Sequence, residues 1–352
     1  MPEDLAQYRF EVGIYRPPSE GGSNSLLIRL TRNCPWNRCA FCAMYKTKKF
    51  ELRSISEIKA DIDAMALISN ELRQLSEKGG SADGISRDAA IKFLNKHPEL
   101  SYHHGFAMLF NWLISGGRTA FLQDADSLIM KIADLVEVLQ YLHSRFPSIQ
   151  RVTSYARSRT LQHKKLSELL AIRQAGLDRL HVGLESGYDE LLKYVKKGVT
   201  AEGHIKGGQK AIEAGFEVSE YWMPGLGGKD FSINHALETA RVLNEINPHY
   251  IRCRPFYPLP GSLMYKAWQI GSFVMLSPSE QLHELKLTIE SLNVTSRVCF
   301  DHVGNYWKRP GGGLLFSHDY EGYKFPEEKQ AVLELIEEGL KACNRRPEFL
   351  EL

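Results

Sequence analysis

Apolar and polar positions follow two distinct patterns along this chain. Residues 25–31 form a short apolar run bounded by turn-forming residues, which predicts a buried strand. Ser54 and Glu57 offer a capping box for a long helix that extends to Leu75. Residues 78–117 are expected to be a helical insertion, because two segments within this range carry apolar residues at helical spacing.

Strands and helices alternate regularly from residue 118 onward. Five further strands are predicted, at residues 118–122, 149–153, 179–184, 216–222 and 250–254. Helices are predicted between them, at residues 128–146, 166–174, 188–195, 201–214 and 234–246. This alternation implies a parallel sheet with right-handed crossovers, so the predicted fold class is α/β. Six strand–helix units are too few for a complete eight-fold barrel.

The pattern also divides the chain into three parts. Residues 1–24 are expected to be a lead-in, residues 25–265 the strand–helix core, and residues 266–352 a C-terminal extension. The extension is predicted to close the open side of the core. Its expected elements are a helix near 278–292, a strand near 297–301 and a helix at 326–344.

Composition narrows the class of protein. The 352 residues are 43% hydrophobic and 24% charged, which is ordinary for a soluble globular chain. The net charge of +2 argues neither for nor against a nucleic-acid partner. The sequence has no apolar run of about 18 residues, so no membrane partner is expected. The acidic N-terminus lacks an apolar signal region, and a cytoplasmic location is expected.

Three of the six cysteines, Cys34, Cys39 and Cys42, lie within nine residues. In a reducing compartment, close thiols indicate a metal more often than a disulfide. A structural zinc site is normally closed by four protein ligands, whereas three thiolates leave one coordination position open. The residues alone leave an iron–sulfur site, a zinc site and a redox thiol as alternatives.

The spacing C-x4-C-x2-C, with Phe41 directly before the last cysteine, resembles the cluster loop of the radical S-adenosylmethionine (SAM) superfamily. The usual spacing in that family is C-x3-C-x2-C, so the first gap is one residue longer here. The resemblance implies that Cys34, Cys39 and Cys42 hold a [4Fe-4S] cluster, and that SAM binds its fourth iron. It also implies an open, partial (β/α)6 TIM-like barrel over residues 25–265. The core is similar to the branch of oxygen-independent coproporphyrinogen oxidases and Elongator-type enzymes.

The ends of the predicted strands carry residues that the resemblance places near SAM. Asp124 stands where relatives often carry an acceptor for the SAM amine, although it could instead cap the next helix. Arg157 suits the SAM carboxylate, because a guanidinium pairs with a carboxylate through two hydrogen bonds. The expected SAM contacts are Phe41, Asp124, Ser154, Arg157, Glu185, Gly225 and Pro255. A polar and aromatic group in the extension fits either a substrate contact or a packing interface: Asp301, His302, Asn305, Tyr306 and Trp307.

The predicted function is that of an oxygen-sensitive radical SAM enzyme. Its cluster would cleave SAM reductively, and the resulting 5′-deoxyadenosyl radical would abstract hydrogen from a substrate, most simply a small molecule. The subclass stays open among oxidoreductase, lyase or isomerase, and transferase. An external electron donor of the flavodoxin or ferredoxin type is expected, and a nucleic-acid partner is not indicated. The alternatives are modification of RNA or protein, and a non-enzymatic metal-binding or redox-sensing module.

Overall fold

The computed structural model of the protein describes residues 7–13, 25–80, 84–309 and 311–344. It confirms the α/β class, with an eight-stranded, mostly parallel sheet and helices between the strands. The ten strands are β1 (Ser25–Arg29), β2 (Thr31–Arg32), β3 (Glu51–Leu52), β4 (Thr119–Gln123), β5 (Arg151–Ala156), β6 (Arg179–Glu185), β7 (Glu217–Trp222), β8 (Tyr250–Cys253), β9 (Arg297–Cys299) and β10 (Tyr323–Lys324).

The main sheet has the strand order β1-β4-β5-β6-β7-β8-β9-β10, and β2 pairs with β3 separately. The pairs β1–β4, β4–β5, β7–β8 and β8–β9 are parallel, whereas β9–β10 is antiparallel. The six-stranded core predicted from the sequence is present. The extension adds β9 beside β8 and then β10, so the sheet is two strands larger than the core alone. Closure of the barrel by the extension stays a prediction.

The helices are α1 (Ile55–Lys78), α2 (Arg87–Lys96), α3 (His104–Ile114), α4 (Ile132–Arg145), α5 (Ser158–His163), α6 (Leu166–Gln174), α7 (Asp189–Tyr194), α8 (Ala201–Glu213), α9 (Gly228–Ile246), α10 (Leu263–Gln269), α11 (Pro278–Ser291) and α12 (Lys329–Asn344). The capping box predicted at Ser54 and Glu57 is present at the start of α1. Helices α2 and α3 lie within the expected insertion. None of the helices in the described residues is long and apolar enough to cross a membrane.

The chain divides into two compact units. Unit 1 consists of Met1–Pro35, Lys49–Tyr155 and Ser167–Leu180, and unit 2 consists of Trp36–Lys48, Ala156–Leu166 and His181–Leu352. Most of the expected lead-in lies outside the described residues, which include only 7–13 of it. The division into lead-in, core and extension stays a prediction.

Unit 2 contains two apolar cores that position most of the candidate site. The larger core joins strand residues to α9, α11 and α12, and includes Leu184, Trp222, Ile251, Leu243, Leu285 and Ile336. The smaller core joins the cysteine loop to the turns that follow β7 and β8, and includes Ala40, Leu226, Phe256 and Met264. Burial of these apolar side chains contributes most of the free energy that holds the turns around the loop in place.

Candidate functional site

The three cysteines of the motif form no disulfide among the described residues and are partly exposed. Cys34 lies in unit 1, two residues after β2, whereas Cys39 and Cys42 lie in unit 2. Asn33 and Asn37 adopt left-handed backbone conformations, with φ of 70° and 46°. Asparagine tolerates this conformation better than most residues, so it allows the chain to turn sharply at both positions.

Backbone hydrogen bonds fix the part of the cysteine loop that belongs to unit 2. The Ala40 N–H donates to the Val195 carbonyl at 2.8 Å, and the Met264 N–H donates to the Ala40 carbonyl at 3.0 Å. The side chain of Ala40 packs in the same core as Phe256. Phe41, which the sequence placed near SAM, packs against that core. The segment between the last two cysteines is therefore held on both sides.

Trp36 stands in the longer first gap of the motif and anchors the loop to a neighbouring turn. Its indole N–H donates to the Lys196 carbonyl at 2.8 Å. The guanidinium carbons of Arg38 and Arg157 each lie 5.1 Å from the centre of its ring. Gly198 has a φ of 78°, and a Cβ at this position would lie 2.3 Å from a ring carbon of Trp36. The turn therefore requires glycine at Gly198.

Glu185 forms an ion pair with Lys197 at the end of β6. Its Oε1 lies 2.9 Å from the Nζ of Lys197, and both side chains are largely buried. Burial opposes the positive charge, but the carboxylate of Glu185 and the thiolate of Cys39 outweigh it and raise the pKa of Lys197. The positive charge of Lys197 is therefore within electrostatic reach of Cys39. The expected contact of Glu185 with SAM stays a prediction.

Asp124 is held by groups of unit 1. Its Oδ2 accepts from Nη2 of Arg29 at 2.7 Å and from the Asn33 N–H at 2.6 Å. The same arginine donates from Nη1 to Glu11 at 2.7 Å. Asp124 is buried, and its Oδ1 has no hydrogen-bond partner within the described residues. The carboxylate therefore orders the residue just before Cys34, and its predicted role with the SAM amine is not tested by these contacts.

The two predicted SAM contacts that follow strand β5 differ in their surroundings. Ser154 is fully buried in unit 1, and its hydroxyl donates to the Tyr155 carbonyl at 2.9 Å. Arg157 belongs to unit 2, where its Nη2 donates to the Lys197 carbonyl at 3.1 Å. Part of the donor capacity of Arg157 is therefore used within the protein.

The glycine-rich turn after β7 is supported by the extension. The Gly225 N–H donates to Oε1 of Glu284 on α11 at 2.6 Å, and Oε2 of this carboxylate accepts from the Ser232 hydroxyl at 2.6 Å. Nε2 of His235 lies 3.0 Å from the Met223 carbonyl. Because a carbonyl can only accept, Nε2 carries the proton in this contact. Buried polar groups thus hold both ends of the turn.

Pro255 lies in the segment that follows β8 and is buried. The Arg254 N–H on one side of it donates to the Trp222 carbonyl at 2.9 Å. The Phe256 N–H on the other side donates to the Pro224 carbonyl at 2.8 Å. The two strand ends that carry Gly225 and Pro255 therefore continue side by side.

Lys197 and Glu284 are important residues that the sequence analysis did not single out. Nothing in the sequence around Lys197 indicates that it is buried. Glu284 and Gly225 are 59 positions apart, and only the packing of α11 brings them together. A possible signal was the number of carboxylates in apolar surroundings, since each buried charge needs a partner.

The residues around the motif fit an iron–sulfur cluster. Thiolates are the normal ligands of a four-iron cluster, which takes one per iron. The positive charge of Lys197 acts on Cys39 and would balance part of the negative charge that thiolates and sulfides bring.

A sequence model of the radical SAM superfamily matches residues 107–243. This segment therefore resembles the radical SAM superfamily, whose members are enzymes that use a [4Fe-4S] cluster and SAM. The matched segment includes Asp124 and Glu185, whereas the cysteine motif lies before it.

Two curated relatives of this chain are named for tRNA or for the Elongator complex. The tRNA uridine(34) acetyltransferase of Methanocaldococcus jannaschii is 27% identical over 31% of this chain and 20% of the relative. Elongator complex protein 3 of Mus musculus is 22% identical over 69% of this chain and 44% of the relative. The chain thus spans less than half the length of these relatives.

Solved structures of radical SAM enzymes are also similar to this chain. Elp3 from Methanocaldococcus infernus, lacking its N-terminus, has 16% identity and a TM-score of 0.44, over 62% of this chain and 53% of that one. Coproporphyrinogen III oxidase from Escherichia coli has 20% identity and a TM-score of 0.42, over 57% of this chain and 45% of that one.

Proposed function

We propose that this chain is a radical SAM enzyme that modifies RNA. The sequence analysis favoured a small-molecule substrate and gave RNA as an alternative. Two observations support the RNA substrate: the relatives are named for tRNA modification, and a basic surface surrounds part of the cysteine loop. The proposal rests mainly on the basic surface, because this observation comes from the structure of this chain.

When bound, the reduced cluster supplies the electron that cleaves SAM into methionine and a 5′-deoxyadenosyl radical. Within unit 2, residues of the chain hold the cysteine loop in place through Ala40 and Trp36. Lys197 places a positive charge within electrostatic reach of Cys39, and Glu185 keeps that charge in position. Burial of these groups excludes water from the polar contacts that hold the loop.

The basic surface consists of side chains on the cysteine loop and on two segments bonded to it. Nζ of Lys46 donates to the Asn37 carbonyl at 3.1 Å, and Nη1 of Arg159 donates to the Gly198 carbonyl at 3.2 Å. Lys196 presents its carbonyl to Trp36, and its side chain is exposed. The cations of the basic surface are Arg38, Lys46, Lys48, Arg159, Lys193 and Lys196.

Six cations in one region match the negative charge of a nucleic-acid backbone. Phosphate contacts release condensed counterions, so binding through them weakens steeply as salt is raised. Arginine and lysine beside an aromatic ring are also typical of single-stranded RNA sites, because bases stack on such rings. Trp36, with Arg38 and Arg157 over its ring, provides such a group within the basic surface.

Binding of unfractionated tRNA across a salt series tests the proposal. Between 50 and 200 mM salt we expect affinity to fall by about a thousandfold if six cations contact phosphates. Replacing Lys193 and Lys196 with alanine should weaken binding and flatten the salt dependence. The matched control is Lys206→Ala, since Lys206 is an exposed lysine on α8 that is already paired with Glu202. Binding that is weak and insensitive to salt would contradict an RNA substrate.

A small-molecule substrate, which the sequence analysis favoured, is the second candidate, and the net charge of +2 does not distinguish it from RNA. The two candidates differ in what stimulates SAM cleavage. Reduced protein should form 5′-deoxyadenosine faster with tRNA than without it if the substrate is RNA. Stimulation by the small-molecule fraction of a cell extract, with no effect of tRNA, would support the second candidate instead.

We also propose that the electron comes from an external flavodoxin- or ferredoxin-type donor. Such donors are acidic proteins, and the basic surface beside the cysteine loop offers the opposite charge. Cluster reduction by a purified flavodoxin should slow at high salt if this surface is the docking site. Reduction that is independent of salt would place the donor elsewhere.

A further inference from the structure

The segments that follow β8 and β9 carry four side chains that the reaction described above does not use. β8 and β9 are parallel neighbours, with Tyr250 opposite Arg297 and Arg252 opposite Cys299. In parallel α/β sheets, ligands bind at the carboxyl ends of the strands. The segments that leave these ends carry Arg254, Tyr257, His302 and Tyr306.

The segment after β9 is held in one conformation by Asn305. Its Nδ2 donates to the Cys253 carbonyl at 2.9 Å and to the Phe300 carbonyl at 3.1 Å. Its own carbonyl oxygen lies 3.1 Å from Nε2 of His318. Asn305 is fully buried, so these bonds are shielded from water. The neighbouring side chains therefore stand on a preorganised backbone.

Tyr257 and Tyr306 form an aromatic pair at this position. Their ring centres are 5.9 Å apart and their planes are inclined at 37°. Tyr306 is 54% exposed, so one ring is open to solvent while Tyr257 lies deeper. Burial, with a smaller effect from Tyr306, raises the pKa of Tyr257 to about 12. Its hydroxyl is therefore protonated at neutral pH and can donate.

His302 lies four residues before Tyr306 and carries a neutral ring. The Gly304 N–H donates to its Nδ1 at 3.0 Å, so Nε2 carries the proton in the neutral ring. Burial first, and then the charge of Arg254, lowers the pKa of His302 to about 4. At neutral pH the ring is therefore a fixed N–H donor and not a cation.

Arg254 provides the positive charge of the group. Its guanidinium carbon lies 4.7 Å from the centre of the Tyr221 ring, which holds the side chain in place by a cation–π contact. The influence of its charge on His302 places the two groups within electrostatic reach. Arginine is well suited to a phosphate, because its planar fork matches two of the oxygens.

These groups match the parts of a nucleotide. They are one exposed aromatic ring, two hydrogen-bond donors (the Tyr257 hydroxyl and Nε2 of His302) and one cation. The ring of Tyr306 can stack on a base, the donors can bond to base carbonyls, and Arg254 can pair with the phosphate. A packing interface between apolar surfaces would not need an exposed ring and an oriented, neutral histidine on the same segment. We propose that the ends of β8 and β9 form a nucleotide subsite that holds one base of the RNA substrate.

The subsite is connected to the cysteine loop within unit 2. Tyr257 follows Phe256, whose side chain packs in the same core as Ala40. The same stretch of chain continues to Met264, whose N–H donates to the Ala40 carbonyl. A base held here would therefore lie on a segment that is joined to the residues between the last two cysteines by this hydrogen bond and by shared core packing. This inference rests on the proposed RNA function.

Equilibrium binding of the four nucleoside 5′-monophosphates to the full chain tests the subsite. Tyr306→Ala should weaken binding by about 10- to 100-fold, since alanine removes the stacking face. Tyr306→Phe should retain most of the affinity, because it keeps the ring. Arg254→Gln should weaken nucleotide binding but leave the binding of the uncharged nucleosides nearly unchanged. Tyr102→Ala, at a tyrosine that is 97% exposed, is the matched control and should have no effect.

The Michaelis constant for tRNA in stimulated SAM cleavage separates failure of the subsite from failure of the RNA function. If Tyr306→Ala raises this constant while Tyr306→Phe does not, the proposal is supported. If nucleotides bind through Tyr306 but tRNA stimulates nothing, the subsite stands and the RNA function fails. If tRNA stimulates cleavage equally in wild type and in Tyr306→Ala, the RNA function stands and the subsite is overturned. Equal nucleotide affinities in these two proteins would overturn the subsite as well.

Discussion

Each cysteine of the motif supplies a thiolate that alanine cannot replace. Cys39→Ala should remove the iron–sulfur absorbance and most of the bound iron after anaerobic reconstitution, because a cluster ligand is lost. Iron and sulfide analysis measures this loss, and Cys34→Ala and Cys42→Ala should behave alike. The control is Cys343→Ala, which changes a partly exposed cysteine on α12. Equal loss of iron in the control would show that the triad is not the ligand set.

The Glu185–Lys197 pair predicts a strongly non-additive effect on stability. Glu185→Ala leaves a largely buried ammonium group without its carboxylate and should cost about 3–5 kcal/mol of unfolding free energy. Adding Lys197→Met removes the stranded charge, so the double variant should recover much of that loss. Denaturant unfolding of the three variants measures the coupling. Additive losses would mean that the two side chains do not act as a pair.

At the residue scale the sequence singles out the three cysteines, but it does not give the partners of the carboxylates. Cys34, Cys39 and Cys42 are recognisable by their local spacing, and their role as cluster ligands stays a prediction. Asp124 was expected to contact SAM because relatives carry an acceptor at that strand end, and Glu185 because a buried carboxylate needs a partner. The structure shows that the protein itself supplies partners, among them Lys197 and Arg29. Sequence reasoning could not find them, since these contacts depend on how distant segments pack.

The long elements were predicted well because their hydrophobic period repeats several times. The strand predicted at 179–184 is Arg179–Glu185, and the helix predicted at 166–174 is Leu166–Gln174. Short elements were missed, since α5 and α10 have only six and seven residues and so contain too few turns for a periodic signal. The helix predicted from residue 128 begins at Ile132, because Ser127–Ile129 form a separate 3₁₀ turn.

The cysteine loop contacts the turn before α8 at Gly198, so adding a single methyl group there should destabilise the protein. Gly198→Ala places a Cβ against the Trp36 ring and forces a left-handed conformation on alanine. The conformation alone should cost about 1–2 kcal/mol, and displacement of the ring should add to it. A fall in the unfolding free energy and in reconstituted iron measures the effect. Gly311→Ala has open space around its Cβ and should change neither quantity, and equal losses would contradict this reading of the turn.

Helix α11 supports the glycine-rich turn, so a substitution on that helix should weaken SAM binding. Glu284→Ala leaves the Gly225 N–H and the Ser232 hydroxyl without their acceptor and should cost about 1.5–3 kcal/mol. We also expect SAM affinity to fall, as measured by calorimetry, while iron content is retained. Glu337→Ala, which changes an exposed carboxylate paired with Lys286, is the control and should have little effect. Unchanged SAM affinity in Glu284→Ala would separate this turn from the SAM site.

The net charge of the whole molecule does not show how its charged side chains are distributed. The net charge of +2 gave no indication of nucleic acid, because it averages over 44 basic and 42 acidic residues. The structure gathers Arg38, Arg159 and Lys196 around the cysteine loop in unit 2. Local concentration of charge, not net charge, determines attraction to a phosphate backbone.

Cleavage of SAM in the presence of deuterated tRNA tests the central claim most directly. The reconstituted, reduced protein is incubated anaerobically with SAM and tRNA, and the 5′-deoxyadenosine formed is analysed by mass spectrometry. A radical SAM enzyme acting on RNA should form 5′-deoxyadenosine that carries deuterium taken from the tRNA, and Cys39→Ala should form none. If the wild-type protein binds SAM but forms no 5′-deoxyadenosine with any reductant, the account is contradicted.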